Sequence, residues 1–200
     1  MTFDGINKLL SDFMQIHDDI KLISAELIVV GDWVRLKCRY GCRSYGKHFC
    51  CPPFVPTLEE MRRILKEYQY SVLVRVEVPG IHGSTPDQAR ARLHDRKKDL
   101  QRIVYELERC AFLSGYYKAF AMASSPCHLC QVCIAEEKLE RGETLSSNDA
   151  LSCRNKNIMR PSMEACGIDV FRTLKNAGFS PKVLKDYSEN VEIFGLVLVD

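Results

Sequence analysis

Ten cysteines in a chain of 200 residues, most of them gathered into two short segments, constrain this fold more than any other feature of the sequence. The chain begins MTFDGINKLL, with no basic stretch leading into a long apolar run, so no signal peptide is expected and the protein reads as cytoplasmic. A reducing compartment keeps thiols free, which makes metal a more natural reason for these cysteines than disulfides. Cys127-His-Leu-Cys130-Gln-Val-Cys133 is a C-x2-C-x2-C run, the spacing that wraps three thiolates around one face of a cubane cluster. A remote fourth cysteine closes such a site, and Cys153 is the obvious one. Structural zinc uses the same thiolates but usually takes them from two separated C-x2-C knuckles. We therefore expect a [4Fe-4S] cluster at Cys127, Cys130, Cys133 and Cys153, with zinc as the alternative. His128 lies inside the run and reads as solvent-facing or as a donor to cluster sulfur, not as a ligand.

The earlier group is Cys38-Arg-Tyr-Gly-Cys42, followed by Arg43-Ser-Tyr-Gly-Lys-His-Phe-Cys50-Cys51-Pro-Pro. Gly41 and Gly46 let the backbone fold tightly, and adjacent cysteines rarely bind one centre well. Cys51, held by the two prolines after it, is expected to be the ligand in preference to Cys50. Cys38, Cys42 and Cys51 then form a second metal site, either completed by a distant fourth such as Cys166 or left with one open position. Arg39, Arg43, Lys47 and His48 would offset the charge of a thiolate-bound centre. Nucleic-acid binding is the weaker explanation of these cations, because the loop has no groove-reading helix or zinc-finger pattern and the net charge is only +2. Cys110 reads as an inert thiol on a helix, and Cys166 as a core residue.

Helical spacing of Phe3, Ile6, Leu9, Leu10 and Phe13 predicts a helix over 3–16. Ala25–Val30 and Val34–Leu36 around Gly31-Asp32 read as a strand pair leading into Cys38. Thr57 with Glu60 caps a helix over about 58–68, and Tyr70–Val78 reads as a strand. A long helix covers about 86–113, and Tyr116–Met122 reads as a strand that Ser124-Ser125-Pro126 breaks. A helix is expected to begin near Pro161 and stop at Gly178, before a last strand over 191–199. At 46% hydrophobic content the chain can bury a real core, and residues 1–200 read as one domain. The fold class is α/β or α+β, a single-domain sandwich of a mixed sheet with flanking helices and two cysteine-rich metal loops. No stretch reaches the roughly 18 apolar residues of a membrane span.

Taken together, these segments resemble a family of cysteine-rich predicted metal-binding proteins (domain of unknown function 2284) found mainly in anaerobic bacteria and archaea. The likeness runs through the early cysteines with Tyr45-Gly46 and Cys51-Pro52-Pro53, the C-x2-C-x2-C run, and Arg160-Pro-Ser-Met-Glu-Ala with Gly167-Ile168-Asp169-Val170. The resemblance implies metal binding at Cys38, Cys42, Cys51, Cys127, Cys130, Cys133 and Cys153, with less support for Cys50 and Cys166. It does not imply which metal.

The function expected from these residues is electron transfer, as a small iron–sulfur component of anaerobic metabolism holding one or two [4Fe-4S] clusters and serving a redox partner protein. Two alternatives stand beside it. One is a metalloenzyme whose open-site cluster binds substrate, and the other a zinc-stabilised binding module without turnover. No phosphate-binding glycine loop, G-x-S-x-G elbow or metalloprotease histidine pair occurs, so neither a nucleotide cofactor nor those hydrolytic chemistries are expected. The basic helix face at 90–109 leaves a homodimer open.

Overall fold

The segment Tyr70–Val78 (β2) is buried without interruption from Ser71 to Val74, as expected of a strand covered on both faces. In the computed structural model, which describes residues 3–186 and 188–200, β2 pairs along its whole length with β4 (Val191–Val199). Ile20–Ser24 (β1) joins the other edge of β2, and Phe120–Met122 (β3) joins β4. The order is β1-β2-β4-β3 and every pair is antiparallel. This is an α+β arrangement, and the sheet is antiparallel where a mixed one was expected.

Alternation along the strands divides the core in two. Val72, Val74, Val76, Val197 and Val199 face α1 (Phe3–Ile16) and α4 (Pro86–Leu113), which bury Ile6, Leu9, Phe13, Leu100, Val104 and Leu107 against them. The side chain of Phe3 lies outside the described residues. Leu73, Phe194, Leu196 and Leu198 point the other way, onto Met61 of α3 (Leu58–Leu65), Leu174 of α6 (Val170–Asn176) and the irregular segment carrying Met163, Cys166 and Ile168. Gly195 is what lets α4 lie this close. A Cβ there would come within 2.5 Å of Val104 Cγ1 and 3.1 Å of the Met122 carbonyl.

The termini of the helices follow their caps. Thr57 with Glu60, and Thr85 with Gln88, form reciprocal capping boxes at the starts of α3 and α4. Among the described residues no helix is long and apolar enough to cross a membrane. Even the 28-residue α4 carries charge along its outer face.

Three expectations are corrected. The 25–36 region is not a strand pair: β1 lies earlier, Ala25–Leu27 is a 3-10 turn, and Asp32–Gly41 is a helix (α2). Apolar and basic residues alternate from Val34 to Cys38, so a period of two competes with a helical face carried by Val34 alone. The 116–119 part of the predicted third strand is a turn, closed by the Ala119 amide on the Tyr116 carbonyl at 2.9 Å. Finally, α6 begins at Val170, after the Asp169 cap, rather than near Pro161. The intervening backbone is used in tertiary pairing: Ala123 N donates to Pro161 O at 2.8 Å, Met163 N to Ala123 O at 3.0 Å, and Ile168 bridges Val30.

Candidate metal centre

The chain leaves β3 through Ser125, whose φ of 65° is in the left-handed region that a residue with a Cβ seldom adopts. That turn throws Cys127 away from the sheet and begins the three-cysteine run. Cys133 is the N-cap of α5 (Ile134–Glu140), so the end of the run is set by a helix start. Cys153 returns to the same place after a 3-10 turn over Ser147–Ser152. Its segment is tied to α5 by Lys138 on Asp149, and by Arg154, whose Nη2 donates to both Glu137 oxygens at 2.9 and 2.8 Å. Arg154 Nη1 also donates to the Val132 carbonyl at 3.0 Å.

Cys127, Cys130, Cys133 and Cys153 thereby line one half-open cavity of about 240 Å³. A fifth thiol shares it. Cys50 reaches the same wall from the first cysteine segment, is 2% exposed, and accepts the Cys127 amide N–H on Sγ at 3.2 Å. Asn155 Nδ2 donates to Cys130 Sγ at 2.9 Å. Hydrogen bonds from N–H to sulfur of this kind stabilise thiolate charge and tune the centres that thiolates hold.

Burial dominates the electrostatics of the cavity. It pushes the Cys127 thiol up to about 12, and raises Cys133 and Cys153, against which the amides of Ala135 and Glu136 (for Cys133) and Asn155 (for Cys153) work in the opposite direction. Cys50 is raised well above the usual thiol range, first by its hydrogen bond with Cys51 and then by burial. Imidazole and carboxylate groups line the same cavity as the thiols. The His94 and His128 rings lie 4.4 Å apart, and burial, with the charges of His94 and Lys97, lowers His128 to about 4. His48 Nε2 stands 3.6 Å from Glu136 Oε1, while its buried Nδ1 has no hydrogen-bond partner.

The residues expected at a second centre divide differently. Cys38, on α2, and Cys42, at its C-terminal cap, share an environment with Glu164 and the largely buried Lys97. Cys38 Sγ donates to the Glu164 carbonyl at 3.8 Å, and the buried Glu164 Oε2 has no partner. Cys51 lies beside Cys50 in the buried 48–54 turn, where its amide donates to the His48 carbonyl at 3.0 Å. It is thus Cys50, which the sequence left in second place, that the fold puts on the cavity wall. Among the described residues, no three His, Cys, Asp or Glu side chains converge closely enough to hold one metal ion.

Other residues singled out from the sequence have structural partners. Arg160 grips Glu108 through Nε at 2.6 Å and Nη2 at 2.5 Å, and Glu108 Oε2 also accepts the Ala121 amide at 2.7 Å. Asp169 caps α6 and accepts Trp33 Nε1 at 3.1 Å, so Arg160, Glu164 and Asp169 serve three separate purposes. Cys166 is 1% exposed in the second core, and Cys110 packs against the first. Reading along the chain could not have found His94 or Asn155. They belong to the cavity because α4 and the loop after Cys153 pass it, and no spacing announces that.

A family model described as Predicted metal-binding protein (DUF2284) matches residues 21–199. No curated protein and no solved structure matches the chain.

Proposed function

The chain belongs to this family of predicted metal-binding proteins, and from that premise we propose that it is an iron–sulfur protein whose cluster sits among Cys127, Cys130, Cys133 and Cys153. The observation that carries the reading is the form of the thiol arrangement. Thiols from three separate stretches of chain surround a cavity of about 240 Å³ instead of meeting at a point. A single zinc ion draws four ligands to within about 2.3 Å of one centre, whereas a cubane spreads them around its faces. Such a cluster would supply one-electron redox chemistry.

The chain's own residues have identifiable tasks in this reading. Cys127, Cys130 and Cys133 would hold the cluster as thiolates, and because burial raises the Cys127 and Cys133 thiols, those two would release protons on loading. Asn155 would donate to the Cys130 sulfur and favour the reduced charge state. The sheet and α4 hold the site's frame, while the half-open cavity mouth leaves an edge accessible to a redox partner. Electron transfer in the cytoplasm of an anaerobic cell is the role we assign.

A reading as an enzyme is favoured by one further observation, that His48, His94, His128 and Glu136 line the same cavity as the thiols. Those groups would bind and orient a small polar substrate beside the cluster. A second metal at Cys38, Cys42 and Cys51 is also part of the proposal, supported by the shared setting of Cys38 and Cys42 with Glu164. Metal and sulfide analysis of the wild type and Cys38→Ala tests both centres. Iron with equal sulfide supports the main site, and iron above about four per chain that Cys38→Ala removes supports the second. Zinc without sulfide would replace this reading with a zinc-stabilised module.

A further inference from the structure

A cubane presents four irons for terminal ligands, yet five thiols line the cavity: Cys50, Cys127, Cys130, Cys133 and Cys153. The three in the C-x2-C-x2-C run are bound together by short backbone links and by the start of α5. Two candidates are left for the fourth iron, one from each side. We propose that Cys50 and Cys153 are alternative fourth ligands of the centre whose other three ligands are Cys127, Cys130 and Cys133. This inference rests on the cluster reading above.

The two thiols are placed for different tasks. Cys50 is the inner one, at 2% exposure, in a turn that ties itself together: Cys51 N donates to His48 O at 3.0 Å, Phe54 N to Cys51 O at 2.9 Å, and Gly46 N to Pro52 O at 3.0 Å. The Phe49 and Phe54 rings close the back of that turn edge to face, with centroids 5.6 Å apart. The Cys127 amide already donates to Cys50 Sγ, so a thiolate there is met by a donor at once. Cys153 is the outer one. It is half-buried and follows a two-turn 3-10 segment, and of the two ties from its segment to α5, Arg154 on Glu137 is a surface pair of the kind that costs little to rearrange, while Lys138 on Asp149 must open for the loop to be released. Both thiols act electrostatically on Cys133 and line the same cavity as it does. With Cys50 bound, the 147–155 loop is released while every iron keeps a thiolate. With Cys153 bound, the loop closes over the centre. Ligand exchange thus couples the order of a surface loop to the centre without loss of iron.

The test uses the full chain purified without oxygen, with iron, acid-labile sulfide and the EPR spectrum after dithionite measured on the wild type, Cys50→Ala, Cys153→Ala and the double variant. Each single variant is expected to keep most of the wild-type iron and sulfide with an altered EPR spectrum. The double variant is expected to lose about fourfold or more, as is Cys130→Ala measured beside it. Cys50→Ser and Cys153→Ser, which preserve side-chain volume, should repeat the pattern and so separate ligation from packing. If Cys153→Ala and Cys153→Ser lose as much as the double variant, or if the double variant keeps the wild-type content, the inference is overturned and the cluster reading stands. A wild-type chain with neither iron nor sulfide overturns the cluster reading itself, before any variant is compared.

Discussion

Burial holds the Cys127 thiol on the cavity wall neutral, and that has a consequence for stability. Cys127 ionises near 9 in an unfolded chain and near 12 in the folded one, so the folded state keeps its proton longer. Its contribution to stability is complete below pH 9 and is lost as the pH rises through the range from 9 to 12. The metal-free protein should therefore lose melting temperature steadily over that interval. Loaded protein, whose ligands are already deprotonated, should not; equal losses in both forms would contradict ligation at this residue. At Cys130 the expected effect is on potential. Asn155→Ala removes one donor to sulfur, worth about 1 kcal/mol, which corresponds to a negative shift on the order of 40 mV for a one-electron couple. A midpoint that does not move on redox titration would argue against Cys130 as a ligand. Cys127, Cys130 and Cys133 can be picked out from the sequence because their spacing is local, and Cys153 as the remote cysteine expected beside them; the fold brings all four to one cavity. Cys50 could not be picked out, since the prolines after Cys51 favour that residue of the vicinal pair and only the folded 48–54 turn shows that Cys50 is the one on the cavity wall.

At the scale of elements, strong periodic segments were read correctly and ambiguous ones were not. β2 and α4 have one period each, whereas α2 carries its apolar residues every second position and looks like a strand until its burial on Val34 is known. The 161–168 segment turns on its own amides from Cys166 to Ile168, but its start is paired to Ala123 through Pro161 O and Met163 N, and Gly167 O accepts the Gly31 amide. Competition of that kind is tertiary and leaves no trace in local propensity. Two substitutions test the packing that supports the site. Gly195→Ala pushes a methyl against Val104 and should cost about 1–3 kcal/mol in urea unfolding. Glu108→Ala removes the carboxylate partner of Arg160 where both side chains are only 14% exposed, leaving it the Asn157 and Met159 carbonyls, and should cost about 3 kcal/mol. A loss below about 1 kcal/mol in the second case would mean that the Arg160 segment is held by its backbone pairing with Ala123 alone.

In the whole molecule the sheet and its two apolar layers stand apart from the cysteine segments. The core clusters draw on α1, α3, α4, α6 and the four strands, and of the five thiols around the cavity none belongs to either cluster. Removing metal should therefore leave the far-ultraviolet circular dichroism nearly unchanged while opening residues 124–155 to limited proteolysis. Global unfolding on chelation would instead mean that the metal is part of folding, as in a zinc-stabilised module. The most direct measurement is iron, acid-labile sulfide and zinc content of protein purified without oxygen, together with its visible and EPR spectra before and after dithionite. The account predicts a brown protein with iron and sulfide in equal amounts, about four of each for the cavity centre, and a dithionite-induced EPR signal. A colourless protein containing zinc and no sulfide would contradict it.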